Sequence, residues 1–324
     1  MQSNYETNML SALILVLMSC GCSAAEVVAT DHTPTEFTIG EQQHRIIHDG
    51  LTRSFTIYTP NSYHSKKPIP LLVFLHGGGG NVERLKKMSN IHALAEKEGF
   101  LVAMPKSYNT QWNDGRLTTR NDIDDVQFID AVVSKIQTTH NVDVKRLYVA
   151  GASNGGMMTQ RLACERANTY AAFASVIANL PSALKDKCAP TRAVPMLLIN
   201  GTDDLLMPWQ GGEIRKSPFK GAGGQVISSI ETVVFWASMN HCDHSAITNH
   251  LPDRYPNDGT TIQSYHYENC RDDVTTRLLA IEGGGHTWPG TKSSTQMHRM
   301  LPISTQEIDG SEAIWAFFTS HDLP

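Results

Sequence analysis

Short apolar runs alternate along this chain with longer segments in which apolar residues recur at helical spacing. The runs at 69–75 and 147–150 are apolar throughout and are followed within two residues by glycine, as strands buried on both faces can be. Between Val126 and Ile136 the apolar residues recur at intervals of 3, 4 and 3, which indicates one helical stripe, and Asn121 is a candidate cap for that helix. The chain therefore predicts strands and helices in alternation.

The same pattern continues to the C-terminus. It predicts further strands at 53–58, 100–104, 196–199 and 278–281, and further helices at 83–97, 157–163 and 311–321. Strands that are apolar throughout and alternate with helices predict a mostly parallel central sheet covered by helices on both faces. Since no linker or internal repeat interrupts residues 26–324, we expect a single domain of the α/β class.

The composition excludes some classes of function but does not change the predicted fold. Of the 324 residues, 40% are hydrophobic and 18% charged, which is enough apolar material for a large core. The formal net charge is −5 and no basic run is present. A mildly acidic chain without a basic surface is a poor nucleic-acid binder, so no nucleic-acid partner is predicted.

The N-terminus resembles an export signal. Residues 9–18 form an apolar run too short to span a membrane, and small residues follow it. Cleavage after Ala25 would remove a signal peptide of residues 1–25, whereas the sequence LMSC at 17–20 resembles a lipobox that would leave Cys20 lipidated. The first eight residues carry Glu6 and no basic residue, so Met9 is an alternative start and a buried N-terminal helix an alternative structure. We expect a secreted or periplasmic protein, on a membrane only if Cys20 is lipidated.

Four cysteines remain once the leader is removed. They can pair in three ways, and the export signal favours disulfides over free thiols. We predict the two local pairs, Cys164–Cys188 and Cys242–Cys270, each stabilising the fold by about 3 kcal/mol through the unfolded chain. No CxxC occurs, and the sequence HCDH at 241–244 lacks a third, distant ligand, so no metal site is predicted.

The sequence GASNG at 151–155 has the form GxSxG and lies between a predicted strand and a predicted helix. This is the context of a nucleophile elbow, in which a serine occupies a strained turn and glycines give the neighbouring backbone room. The N-terminus of the helix places partial positive charge near the serine oxygen. We therefore predict Ser153 as a nucleophile.

A run of four glycines, 77–80, follows His76 at the end of another predicted strand. It lacks the Lys and Ser/Thr of a phosphate-binding loop. In hydrolases of this architecture a backbone N–H from such a loop joins the N–H of the residue after the nucleophile to bind an oxyanion. The predicted oxyanion donors are Gly77, Gly78 and Asn154.

Candidates for the base and its orienting acid also follow strands. His286 comes after the strand at 278–281, and Asp203 and Asp204 come after the strand at 196–199. The chain order Ser, Asp, His is that of the α/β-hydrolases. His286 is preferred among the histidines because three glycines precede it and Trp288 follows.

Five segments together resemble the polyhydroxybutyrate depolymerase family of secreted esterases, which also contains feruloyl and acetylxylan esterases. The similarity runs from about residue 45 to the C-terminus and is carried by LHGGGGN (75–81), DDVQFIDAVV (124–133), RLYVAGASNGGM (146–157), NGTDDLLMPW (200–209) and EGGGHTWPG (282–290). The resemblance implies the α/β-hydrolase fold, Ser153 as nucleophile, His286 as base and Asp204 as acid. Asp204 is chosen over Asp203 by its spacing from Gly201 and Pro208 in the family's motif.

The resulting hypothesis is a serine esterase that needs no cofactor. Trp112, Trp209 and Trp288 fall in loops near these residues, so we expect them to line the substrate pocket and to suit hydroxycinnamoyl groups or hydroxyalkanoate oligomers. The alternative is that one or two of these rings pack in the core. Depolymerases of solid polyester carry a linker and a polymer-binding domain, and neither is recognised before Pro324, so soluble esters are expected. An amidase or peptidase of the same fold, or a non-catalytic surface lipoprotein, are the alternatives.

Overall fold

A computed structural model describes residues 37–80, 82–119, 122–215, 222–291 and 303–324. These belong to one structural unit, Glu36–Pro324. The predicted leader, with Cys20 and the cleavage sites, lies outside the described residues. Within them, no helix has both the length and the apolar character needed to cross a bilayer.

The described part of the chain contains twelve strands and seven α-helices. The strands are β1 (Gly40–His48), β2 (Leu51–Thr59), β3 (Ile69–Leu75), β4 (Leu101–Pro105), β5 (Val142–Ala152), β6 (Ala172–Val176), β7 (Met196–Gly201), β8 (Gly212–Glu213), β9 (Gln225–Val226), β10 (Ile247–His250), β11 (Thr261–Tyr267) and β12 (Thr276–Glu282). The helices are α1 (Val82–Ser89), α2 (Ile91–Glu98), α3 (Asp125–Gln137), α4 (Asn154–Glu165), α5 (Ser182–Lys185), α6 (Ser229–Met239) and α7 (Gly310–Phe318).

Ten of the strands form one sheet in the order β1-β2-β4-β3-β5-β6-β7-β12-β11-β10, and β8 pairs only with β9. From β4 through β12 neighbouring strands are parallel, while the pairs at both margins are antiparallel. Every residue of β3, β4, β6 and β7 is buried. The parallel pairing and this burial confirm the predicted mostly parallel sheet, whose strands are covered on both faces and are predominantly apolar.

Two hydrophobic clusters lie on opposite faces of the sheet. Along β3, Leu71, Val73 and Leu75 belong to one cluster, and Leu72 and Phe74 belong to the other, as the two-residue period of a strand requires. Helices α3, α4 and α6 contribute to the first cluster, whereas α1, α2 and α7 contribute to the second. Helices therefore cover both faces, as predicted.

Several element boundaries differ from the prediction. The helix expected at 83–97 is two helices, because Asn90 between them has φ 50°, a left-handed conformation that asparagine tolerates. The cap of α3 is Asp124, whose side chain accepts a hydrogen bond from the N–H of Gln127 at 2.9 Å. The expected cap, Asn121, lies outside the described residues.

Both predicted disulfides are present. Cys164 pairs with Cys188, which joins α4 to the segment after α5. Cys242 pairs with Cys270, which joins the segment after α6 to the segment between β11 and β12. Each closes a short loop, with sequence separations of 24 and 28 residues. Disulfides are typical of proteins that fold in an oxidising compartment.

Candidate active site

Ser153 occupies a sharp turn between β5 and α4. Its φ of 55° and ψ of −119° lie in a region that non-glycine residues rarely adopt. The turn is held by the Ser153 N–H, which donates to the carbonyl of Val176 at 2.9 Å. Ser153 is partly exposed at the carboxyl end of β5.

Glycines flank this turn because backbone passes too close for any side chain. A Cβ on Gly155 would lie 2.3 Å from the carbonyl oxygen of Leu75, at the end of β3. A Cβ on Gly151 would lie 2.4 Å from the carbonyl oxygen of Gly155. Helix α4 is thereby seated directly against the backbone that leads into the loop after β3, as a nucleophile elbow requires.

Ser153, His286 and Asp204 lie in one hydrogen-bonded chain. The Nε2 atom of His286 is 3.0 Å from the Ser153 hydroxyl oxygen, and Nδ1 is 2.7 Å from Oδ2 of Asp204. The second carboxylate oxygen of Asp204 accepts hydrogen bonds from the N–H groups of Leu206 and Met207, each at 2.8 Å. The sequence-predicted triad is therefore brought together in hydrogen-bonding geometry.

The two neighbouring aspartates have different surroundings. The Asp204 side chain is only 2% exposed, and both its oxygens accept hydrogen bonds. Asp203 is exposed, and its carboxylate accepts from the Thr202 hydroxyl at 3.0 Å. Of the two aspartates, Asp204 is the one placed within hydrogen-bonding distance of His286.

The loop that carries His286 crosses the end of β7. A Cβ on Gly201, the last residue of β7, would lie 2.2 Å from the carbonyl oxygen of Gly284. The same carbonyl accepts a hydrogen bond from the N–H of Asp203 at 2.9 Å, and the N–H of Gly283 donates to the Thr202 hydroxyl at 2.9 Å. The acid and the base therefore stand on two loops that are bonded to each other.

The glycine loop after β3 lies beside the serine. A Cβ on Gly77 would be 3.4 Å from the Ser153 Cβ, so the Gly77 backbone lies beside the Ser153 side chain. Asn154 is the first residue of α4, where backbone N–H groups have no partner within the helix. Gly77, Gly78 and Asn154 thus belong to two segments that meet at Ser153, although their role as oxyanion donors stays a prediction.

His76, at the start of this loop, is a buried structural group. The N–H of Ser107 donates to its Nε2 at 3.0 Å, so the ring proton is on Nδ1, which donates to the carbonyl of Gly77 at 2.8 Å. Burial lowers the pKa of His76 to about 4, against a partial opposing effect of the Gly77 hydrogen bond. The imidazole is therefore neutral at physiological pH.

The pocket prediction for the three tryptophans needs correction at two of them. Trp112 is 0% and Trp288 1% exposed, so both rings belong to the core and neither lines an open pocket. Trp288 packs edge-on against Phe74, and the Trp112 ring packs beside His76. Trp209 is partly buried near Asp204 and keeps its predicted role as an expectation. Position in a loop did not reveal which way a ring points.

One buried ion pair near the site was not anticipated. Arg116 contacts Asp114 through Nη2 at 2.8 Å, and Asp114 accepts a further hydrogen bond from the side chain of Asn154 at 2.5 Å. Arg116 also donates to the carbonyl of Gly223, just before β9. Forty residues separate Asp114 from Asn154, and no local sequence signal indicates the contact.

Comparisons with known proteins find similarity to esterases. The family model described as "Esterase PHB depolymerase" matches residues 53–184. "Putative esterase NocK" of Nocardia uniformis subsp. tsuyamanensis is 29% identical over 306 residues, which are 86% of this chain and 88% of that protein. "Feruloyl esterase B" of Piromyces equi is 30% identical over 243 residues, 72% of this chain and 42% of that protein. This chain thus spans less than half of the Piromyces protein.

Among solved structures, the acetyl xylan esterase from Aspergillus awamori superposes with a TM-score of 0.56 at 18% sequence identity. That likeness covers 85% of this chain and 98% of the Aspergillus protein, and it shows the α/β-hydrolase fold. Fold and relatives together define the class as a carboxylic ester hydrolase of the α/β-hydrolase fold. Within that class, residues 53–184 match the polyhydroxybutyrate depolymerase family model, and the similar proteins include feruloyl esterases.

Proposed function

We propose that this chain is an exported serine esterase that cleaves carboxylic esters through an acyl-enzyme. The observation that carries the proposal is the hydrogen-bonded chain from the Ser153 hydroxyl through His286 to Asp204, with separations of 3.0 and 2.7 Å. The strained turn at Ser153, on the N-terminus of a helix, supports the same assignment.

The mechanism follows from the position of each proton. His286 accepts the hydroxyl proton at Nε2 while the Ser153 oxygen attacks the ester carbonyl carbon. Asp204 accepts the Nδ1–H hydrogen bond, which fixes the tautomer and stabilises the imidazolium. The proton then passes from Nε2 to the leaving alcohol, and water repeats the sequence on the acyl-enzyme to release the acid and restore the serine.

Charge develops on the carbonyl oxygen during both attacks. The N–H groups of Gly77, Gly78 and Asn154 are the proposed donors to that oxyanion, because the two segments that carry them meet at Ser153. Removing one such donor from a hydrolase costs about 10²- to 10³-fold in kcat.

The proposed substrate class rests on the names of similar proteins and on the position of Trp209. Relatives are named as feruloyl and acetylxylan esterases, which favours hydroxycinnamoyl or acetyl esters, and the family also favours hydroxyalkanoate oligomers. Trp209, partly buried on the segment after Asp204, is a proposed contact for an aromatic or methyl-bearing acyl group. Export is supported by the two disulfides.

The nucleophile is tested by labelling and kinetics. A fluorophosphonate probe should label the wild-type protein and Ser134→Ala equally, because Ser134 is an exposed serine of α3, and should not label Ser153→Ala. Ser153→Ala should also lower kcat on nitrophenyl acetate by at least about 10³-fold. Labelling that persists in Ser153→Ala would refute the proposed nucleophile.

The substrate class is tested with soluble compounds. Feruloyl esters, acetylated xylan, hydroxybutyrate oligomers and a peptide library should be compared by kcat/KM, with crystalline polyester as a further arm. We expect turnover of soluble esters and little clearing of the crystalline polymer. Preferential cleavage of peptides would make the protein an amidase of the same fold, and inactivity on every ester would end the esterase assignment.

A further inference from the structure

Trp112 donates a hydrogen bond into the glycine loop. Its indole Nε1–H is 2.8 Å from the carbonyl oxygen of His76, and the ring is completely buried. In a trans peptide the C=O of one residue and the N–H of the next point in opposite directions. Fixing the carbonyl of His76 therefore also fixes the direction of the Gly77 N–H.

The backbone of Trp112 is bonded to the other half of the site. Its N–H donates to Oδ1 of Asn154 at 2.7 Å, and its carbonyl accepts from Nδ2 of Asn154 at 3.2 Å. Asn154 follows Ser153 and opens α4, so these contacts anchor the residue proposed above as an oxyanion donor. The Asp114 carboxylate accepts the remaining Nδ2 hydrogen of Asn154.

We propose that Trp112 is a positioning residue that sets the spacing between the two halves of the oxyanion hole. Its indole holds the loop half through His76, and its peptide groups hold the elbow half through the Asn154 side chain. The inference rests on the proposed function, since it assigns a task within the same site. It replaces the expected role of Trp112 in contacting substrate.

Such a residue affects the transition state more than substrate binding. The oxyanion forms only after attack, so donors that are displaced weaken the tetrahedral state while the neutral ester binds as before. Small displacements of catalytic groups are costly, and a misplacement of about 1 Å can lower the rate by about 10²-fold. We therefore expect an effect on kcat rather than on KM.

The test compares two chemically identical substitutions. Trp112→Phe removes the indole donor to His76, and Trp236→Phe removes an equally buried indole donor that binds Oε1 of Gln160 at 3.0 Å in the core beneath α6. Both variants lose one buried hydrogen bond and a similar ring volume, so their thermal stabilities should fall alike. Only Trp112→Phe should lower kcat, by about 10- to 100-fold with KM nearly unchanged.

A second measurement reports on the oxyanion hole directly. A trifluoromethyl ketone adds to the serine as a tetrahedral oxyanion, so its inhibition constant should rise in Trp112→Phe by the same factor by which kcat falls. The corresponding methyl ketone without fluorine, which remains a neutral carbonyl, should bind both variants as it binds the wild type. If Trp112→Phe does not fold, benzothienylalanine at position 112, with sulfur in place of the indole N–H, keeps the ring shape and removes the donor.

Besides an unaffected Trp112→Phe, two results would overturn the proposal. One is an equal loss of kcat in Trp112→Phe and Trp236→Phe, which would show general destabilisation. The other is a loss confined to KM, which would return Trp112 to substrate binding. If Ser153→Ala retains full activity, the proposed function itself fails, whereas Ser153-dependent activity with an unaffected Trp112→Phe refutes only the positioning role.

Discussion

Replacing Asp204 by asparagine changes one atom of the carboxylate and should nearly abolish activity. One carboxylate oxygen accepts the His286 Nδ1–H at 2.7 Å, and the other accepts two backbone N–H groups at 2.8 Å. An amide has only one oxygen, so one of these positions must receive an NH₂ group. Both positions already face donors.

Either orientation of the amide is unfavourable. If the oxygen keeps the backbone N–H groups, the NH₂ faces His286 and favours the tautomer with its proton on Nε2, which cannot accept the Ser153 proton. If the oxygen faces His286, the NH₂ opposes the N–H groups of Leu206 and Met207 in a site where the side chain is 2% exposed. We expect kcat to fall by about 10³- to 10⁴-fold, or about 4 to 5.5 kcal/mol of transition-state stabilisation.

The neighbouring aspartate supplies the matched control. Asp203→Asn makes the same chemical change on an exposed side chain that contacts the Thr202 hydroxyl, so kcat should stay within about twofold of wild type. Both variants should be measured on nitrophenyl acetate, with circular dichroism melts to confirm folding. The reasoning is refuted if Asp203→Asn loses as much activity as Asp204→Asn, or if Asp204→Asn keeps more than about a tenth of the wild-type kcat.

The remaining predictions concern stability. Reducing the two disulfides should lower the urea midpoint of unfolding, because each bridge contributes about 3 kcal/mol to stability. Peptide mapping without reduction should return the linked pairs Cys164–Cys188 and Cys242–Cys270. Free thiols at all four positions would contradict this. Burial, as the largest cause, lowers the pKa of His76, His140 and His321 to about 4. An unfolded histidine titrates near pH 6.5, so between pH 6.5 and pH 4 the unfolded chain binds more protons than the folded chain. The contribution of these three histidines to the free energy of unfolding should therefore be fully present above about pH 6.5 and should be lost as the pH falls toward 4. A thermal midpoint that is unchanged between pH 7 and pH 4.5 would be evidence against it.

Local pattern was sufficient for much of the fold. The bounds of β3 were predicted correctly, because its seven apolar residues end at the polar His76 and the glycine run that follows. By contrast, β6 (AFASV) is short and rich in alanine, and the antiparallel strands β1, β10 and β11 are partly exposed, so neither group stands out as an apolar run. The break at Asn90 depends on one residue's φ, which composition does not specify.

The candidate site divides in the same way. Ser153, Asp204 and His286 follow strand ends and belong to motifs, so the sequence alone was sufficient to predict them as candidate catalytic residues. The contacts that surround them join distant parts of the chain, such as Trp112 to His76 and Asn154 to Asp114. Those contacts depend on which way a side chain turns after folding, and no spacing in the sequence encodes that.

The crossing of the His286 loop over Gly201 has a consequence for how this site can diversify. Serine and histidine follow strands β5 and β12, which are separated by β6 and β7, so their starting points are about 14 Å apart at ordinary strand spacing. The loop can lean back over that distance because nothing but main chain lies where Gly284 passes Gly201. The distance between His286 and Ser153 thus depends on the close approach of two main-chain segments, and a single methyl group at position 201 would change it. Residues lining the pocket can then change, and the accepted ester with them, while the reacting atoms keep their separation.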